Sequence, residues 1–420
     1  MMLDWTLLAP DEDARDLAGT ARALFRTLPG ASAARAAIDN AAARAAIDNA
    51  AARAAIDNSA ARAAIDQKDG AGDGSSAWSA LVNAGYLDIA VPEELGGLGR
   101  MIDLVVVLEE AGRSLLTAPL LPTVLAVQTQ VAAGIHRPET RSEPAGFALA
   151  SGTVVGGRCF ADRVPVLGGV DAATLTLVLR APDQAWVVTL DGAADGVEIL
   201  QTETLIDPSR PVAVVRLAGA PGRDLRPLAS AEVDPVLARA RVCAAADLVG
   251  IAAGALEAAV AHARQRQQFG ALIGSFQAVK HQLADAYLAV ERARSLTYGA
   301  AVALPADPTG LAGGATTGEP ALSTRDSRLA YATAAEVAVQ AAGRFIQILG
   351  AMGVTFEADG HLYLRRAHQM TSLFGAPDDH FLAAARMAWA AAGRDESVGR
   401  ERVAVPSAGA AVRSTGEVGR

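Results

Sequence analysis

Apolar positions recur along this chain with two different periods, and the change from one to the other divides it. Over residues 11–28 they return at three- and four-residue steps, which predicts a helix closed by Pro29-Gly30. Trp78 to Gly85 reads as a short helix, and the stretch through Leu108 and Leu116 as a longer one left through Pro119 and Pro122. From about residue 146 the pattern becomes short β-branched runs. Phe147 to Leu149, Thr174 to Leu179, Ala185 to Leu190 and Val212 to Leu217 are separated by Gly, Pro and Asp, and predict antiparallel strands. Helical periodicity returns near 235 and lasts to about 395, broken at Leu304 to Gly310. One stripe runs through Leu248, Ile251, Ala252, Leu256 and Val260, a second through Phe276, Val279, Leu283, Tyr287 and Val290. A third takes Ala330, Ala334, Val337, Ala341, Phe345 and Ile348. The predicted fold is mainly α with a small β domain: a helical domain over 1–145, a middle β domain over 146–230, a helical bundle over 231–400 and a flexible tail over 401–420.

An internal repeat interrupts the first domain. Arg-Ala-Ala-Ile-Asp begins at Arg35, Arg44, Arg53 and Arg62, within an Ala-rich arm over 31–68. A nine-residue period is about two and a half helical turns, so successive copies point to opposite sides. Ile38 and Ile56 would face one way, Ile47 and Ile65 the other, which predicts a protruding helix with no single buried face. Gly70 to Ser76 then reads as a flexible link; it lacks the preceding strand and the third glycine of a dinucleotide loop.

With 420 residues the chain can bury several cores, and with 4% aromatics those cores rest on Ala, Val and Leu. A net charge of −9 excludes the basic footprint that nucleic acid requires. Cys159 and Cys243 form neither a disulfide framework nor a metal set, and fit a reducing cytoplasm. The uncharged run from Ser114 to His136 contains Pro119, Pro122, Gln128 and Gln130, which favours a buried helix entered through a proline turn over membrane insertion. The start, Met-Met-Leu-Asp-Trp, has no basic and apolar signal-peptide pattern. The expectation is a soluble, cytoplasmic protein. His361, His368, Asp378, Asp379 and His380 are too widely spaced for a metal set and read as surface residues.

Candidate chemistry concentrates in Arg266-Gln-Gln-Phe-Gly-Ala-Leu-Ile-Gly-Ser-Phe-Gln277, set in a turn between two predicted helices. This pattern resembles the C-terminal domain of the acyl-CoA dehydrogenases. Val91-Pro-Glu-Glu-Leu-Gly-Gly-Leu-Gly99 is similar to a turn of that family's N-terminal domain, and Gln347-Ile-Leu-Gly-Ala-Met-Gly-Val-Thr-Phe-Glu357 to a second bundle motif, with Ala351 in place of a glycine. The resemblance covers nearly the whole chain apart from the repeat and implies three domains ending in a four-helix bundle. It implies FAD as cofactor. Arg266, Gln268, Phe269, Gly270, Phe276 and Gln277 would lie against its pyrophosphate and adenine, and Gln347 and Gly350 would approach a flavin held by a neighbouring subunit. A planar guanidinium suits phosphate oxygens, and an aromatic face suits adenine.

The same resemblance implies α,β-dehydrogenation of an acyl-CoA thioester, which needs a carboxylate base in a dry pocket. At the two places where the family carries that base, this chain has Phe374, before Gly375, and Ala240. No catalytic residue is therefore assigned. Nor do Ala150-Ser-Gly-Thr or Ala161 to Gly169 match the family's flavin-facing loop. Phe356-Glu-Ala-Asp-Gly-His-Leu-Tyr-Leu-Arg-Arg366 is similar to the branch whose members work as paired, non-identical subunits on bulky acyl-CoAs. The preferred expectation is a partner subunit that completes the flavin site of a homologous catalytic chain in a dimer or heterotetramer. The alternatives are a self-sufficient enzyme using Glu357 or Asp378 as base, and a bundle protein that serves assembly without flavin.

Overall fold

The computed structural model describes residues 10–38, 74–136, 141–170, 172–203, 206–305 and 319–392. Helix α1, Glu12–Phe25, starts on Asp11, whose carboxylate accepts the Ala14 N–H at 3.0 Å, and buries Ala14, Ala21 and Phe25. A helical run over 31–38 follows. It corrects the expectation of a protruding arm at its first copy, because Ala34 and Ile38 lie in the main core and Arg35 pairs with Asp359 of the bundle. The other three copies, the tail and most of the expected link fall outside the described residues. Helix α2, Gly74–Asn83, begins inside that link. Helix α3, Met101–Arg113, and helix α4, Leu120–Ala132, complete the first helical layer. All thirteen residues of α4 are buried, as an uncharged run with polar interruptions predicts for a core helix.

Eight strands form one sheet in the middle of the chain: β1 Ala145–Ser151, β2 Thr153–Val155, β3 Arg158–Leu167, β4 Thr174–Arg180, β5 Ala185–Asp191, β6 Val197–Glu203, β7 Val212–Pro221 and β8 Asp224–Leu228. Their order is β6-β7-β3-β1-β4-β5-β8, with β2 paired to β3. The antiparallel expectation fails at one ladder: β1 and β4 are parallel, from Ala145 against Thr174 to Ser151 against Arg180. Strands β2, β3, β6 and β8 carried too little apolar alternation to be read ahead. Period two explains the packing, since successive side chains leave a strand on opposite faces. Phe147, Val178 and Val187 join the helical core, whereas Ala148, Leu177, Leu179 and Val188 close a second core against the sheet's own far side.

The last layer is helical: α5 Ser230–Gln265, α6 Gln277–Ala303, α7 Glu319–Leu349, α8 Gly360–Thr371 and α9 Pro377–Ala391. Between α5 and α6, β9 Gln267–Gln268 and β10 Ala271–Leu272 form a small hairpin. Helix α5 and the stretch Leu322–Val354 are both long and apolar enough to cross a membrane. The apolar window of α5 is 89% buried in the protein, the state of a core helix, whereas 33% of the other window is buried.

Helix α5 crosses α3 through paired glycines. A Cβ on Gly250 would stand 2.0 Å from the Glu109 carbonyl oxygen, and one on Gly112 would stand 2.1 Å from that of Asp247. The two backbones therefore touch where no side chain fits. Buried ions lock the layers at the same place. Arg210 donates two bonds to Asp247, at 2.7 and 2.9 Å, and Arg366 bonds Asp207, the Ser209 hydroxyl and the Leu116 carbonyl. Sheet loop, first helical layer and bundle are thus tied through one network.

Candidate functional site

The bundle brings both sequence motifs to the same end. Helix α5 ends at Arg266, the hairpin turns the chain back, and α7 ends beside the start of α6, where Arg344 donates to the Gln282 carbonyl at 3.3 Å. Arg266 is the C-cap of α5: its N–H bonds the His262 carbonyl at 2.9 Å, and its carbonyl accepts from Ile273 at 2.8 Å. The backbone is fixed while the guanidinium is exposed and, among the described residues, has no carboxylate partner. Burial, then the nearby Arg266 charge, hold the His262 imidazole below its ordinary pKa.

Phe269 is 95% exposed and takes φ of +53°, followed by Gly270 at +77°. A bulky residue in the left-handed region is strained, and here it stands at a hairpin tip with an uncovered ring. That ring meets Phe276 edge to face at 6.4 Å, so two of the assigned aromatics form one outward patch. Gln268 and Gln277 are also exposed, the latter as the first residue of α6. Further along α6, Tyr287 is exposed and Leu288 beside it more so, which corrects the expected buried stripe at its middle. Gln347 and Gly350 lie exposed at the end of α7; Gly350 takes φ of +64°, and a Cβ there would meet nothing. A charged guanidinium, an upright aromatic pair and an open glycine suit a ligand carrying phosphates and an aromatic base, approached from outside the chain.

The places expected for a base are filled differently. Ala240 is fully buried in α5. Phe374 follows α8 and packs its ring against Tyr331, at 5.3 Å, and Phe147, at 5.9 Å. The alternative carboxylates Glu357 and Asp378 are both exposed, not in the dry surroundings a raised pKa requires.

Among the described residues the four buried carboxylates are Glu109, Glu110, Asp207 and Asp247, and each pairs with arginine. Burial alone would raise Glu109, but Arg294, Arg113 and the Tyr298 hydroxyl outweigh it and hold the carboxyl below its usual range. Asp207 is held down in the same way against its burial by Arg366, Ser209 and Arg210. Glu109 and Asp207 are committed anions, not poised bases.

The histidines read as surface residues divide. His361 is half-buried, its Nδ1 2.8 Å from the Ala358 carbonyl. His380 is buried, which corrects its surface assignment. Cavities of about 380 and 300 Å³ lie elsewhere, the first beside Asp11, Leu98, Gly99 and Arg100, the second between Val91, Val127, Val131 and Arg141; both border the Val91–Gly99 motif, and no residue of the two bundle motifs lines either.

The model of the acyl-CoA dehydrogenase C-terminal domain matches residues 233–388, and that of the N-terminal domain residues 41–137. Acyl-CoA dehydrogenase IpdE2 of Mycobacterium tuberculosis is 32% identical over 305 residues, covering 72% of this chain and 83% of that protein. Acyl-CoA dehydrogenase FadE34 of the same organism is 33% identical over 320 residues, which are 72% of this chain but 41% of FadE34. Among solved structures, the Tcur3481-Tcur3483 steroid ACAD superposes with a TM-score of 0.68 at 24% identity, covering 91% of this chain and 99% of that one. The ChsE4-ChsE5 complex from Mycobacterium tuberculosis does so with 0.68 at 19%, covering 90% and 98%. Helices, mixed sheet and bundle in this order define an oxidoreductase architecture. The chain belongs to the acyl-CoA dehydrogenase family.

Proposed function

We propose that this chain is the non-catalytic subunit of a heteromeric, FAD-dependent acyl-CoA dehydrogenase, completing the flavin site of a homologous catalytic chain. The observation that carries this reading is a contrast. The cofactor-side residues are present and turned outward, while no buried carboxylate among the described residues is free to take a proton. Arg266 would pair with the pyrophosphate, Phe269 and Phe276 would flank the adenine, and Gln347 and Gly350 would lie along a flavin seated in the partner. The bound flavin supplies the hydride acceptor; the catalytic chain supplies the base.

Two further observations support a paired assembly. Only 33% of the apolar window in Leu322–Val354 is buried, Met352 and Val354 at the end of that stretch are exposed, and Tyr287 and Leu288 stand exposed on α6. Structures with this fold include a steroid ACAD and the ChsE4-ChsE5 complex. We take the substrate class to be a bulky acyl-CoA, and the compartment to be the cytoplasm.

The visible spectrum of the purified chain, alone and co-purified with a homologous chain, tests the reading. Flavin absorbance is expected only in the pair. If the single chain holds flavin and an acyl-CoA bleaches its band, the chain is catalytic by itself and the search for a base returns to Glu357 and Asp378.

A further inference from the structure

The nine-residue repeat carries no chemistry, yet its first copy is built into the fold. Ala34 and Ile38, four residues apart on one side of the helical run over 31–38, are both buried in the main core. Arg35 pairs with Asp359, just ahead of α8. Core and carboxylate together hold three residues of the copy: a small one, a cation next to it and an isoleucine three further on. The entry to this helix is pinned as well. The Pro29 carbonyl accepts from the N–H and the hydroxyl of Thr117, at 3.2 and 3.1 Å, and a Cβ on Gly30 would stand 2.6 Å from the Ser114 carbonyl oxygen.

Nothing in the docked residues sets the first copy apart from the rest. Ala-Ala-Arg-Ala-Ala-Ile-Asp is identical at 33–39, 42–48, 51–57 and 60–66, so Ala43, Arg44 and Ile47 offer the same groups at the same spacing as Ala34, Arg35 and Ile38. Only the distance from Gly30 differs. Shifting the docked position by one copy adds nine residues on that side and removes nine before α2, and loop-closure entropy changes slowly with length. Leaving the position empty would forfeit the burial of an isoleucine, which is the larger loss. Two successive copies of one helix cannot both dock, because nine residues turn it by about two and a half turns. The N-terminal domain model matches from residue 41, the start of the second copy, whereas the structure docks the first; identical copies admit both. We propose that this position, Asp359 with the core beside it, is an interchangeable docking site that holds any one of the four copies at a time. It is independent of the flavin and of the partner chain.

Thermal melts of the full-length chain, followed by circular dichroism, test the interchange. One variant carries Ile38→Ala, Ile47→Ala, Ile56→Ala and Ile65→Ala together; four others each keep one of these isoleucines and replace the remaining three. Alanine has the highest helix propensity, so the substitutions remove buried side chain without disfavouring the helix. The chain with no isoleucine is expected to melt roughly 5–10 °C below wild type. Each chain that keeps one, wherever it stands, is expected to lose less than half of that. If any of those four loses more than half, the copies are not interchangeable and the proposal is overturned. It is overturned too if the chain with no isoleucine melts with wild type, since no copy then docks through this residue. Failure of that chain to fold counts as the full loss, and each of the other four must then fold.

Discussion

Arg266 and Arg366 show how differently one residue type serves this molecule. The Arg266 guanidinium is exposed and has no carboxylate partner among the described residues, so its removal costs the fold nothing visible. Arg266→Ala should leave the melting temperature unchanged. In the assembled pair it should weaken flavin binding by roughly ten- to a hundredfold, the equivalent of about 1.5–3 kcal/mol for a charge-assisted contact. Flavin release on dilution measures this, and unaltered release would remove Arg266 from the site. Arg366 is buried with Asp207, and breaking such a pair leaves an uncompensated charge inside. Asp207→Ala is expected to destabilise the chain by about 3–5 kcal/mol in urea unfolding, because Arg366 keeps its charge and loses its counterion. A loss below about 1 kcal/mol would mean that Ser209 and the Leu116 carbonyl suffice to hold it.

At the scale of elements, the α3–α5 crossing is the tightest joint. Gly250→Ala would place a methyl about where the Glu109 carbonyl oxygen stands. The helices must then separate, carrying Asp247 away from Arg210. Overpacking of this kind costs about 1–3 kcal/mol and is expected to appear as a lower urea midpoint with an unchanged slope. Gly343→Ala in α7 is the control, since nothing lies within 4 Å of a Cβ there, and helix propensity favours alanine. A drop of equal size in both variants would show that the effect is not one of close approach.

For the whole molecule, charge sets the response to acid. His380 is held neutral, so unfolded chains gain a proton that folded ones refuse. The stability from that site is complete above about pH 6.5 and is lost as pH falls towards about 4. Glu109, Asp207 and Asp234 have folded pKa values below their ordinary ones. Their contribution is complete above about pH 4 and is lost as pH falls further, through the folded values. Thermal melts from pH 8 to 3 should therefore show a shallow decline followed by a steep one, and His380→Gln should reduce the first, the lowered imidazoles of His262 and His361 leaving a remainder. A melting temperature constant down to pH 3 would contradict both signs. Assembly is the other whole-molecule property. Leu288→Glu, on an exposed turn of α6, should leave the single chain folded and prevent co-purification of the pair.

The sequence by itself determined where the main helices lie, where four of the eight strands of the large sheet lie and that α4 is buried, because periodicity and proline placement act within a few residues. The family was legible for the same reason: Arg266 to Gln277 and Gln347 to Glu357 are contiguous motifs. The parallel β1–β4 ladder was not legible, since strand direction depends on how distant segments meet, and alternation reads the same either way. Nor was the repeat's first copy, where Ile38 finds a core and Arg35 a carboxylate 324 residues away. His380 looked like a surface histidine beside two aspartates; only packing places Phe374 on one side of its ring and Arg328 on the other. The sequence showed that phenylalanine stands where a base is expected. Tertiary structure decided what that ring touches, because Phe147, Tyr331 and His380 come from three separate elements that only folding brings together.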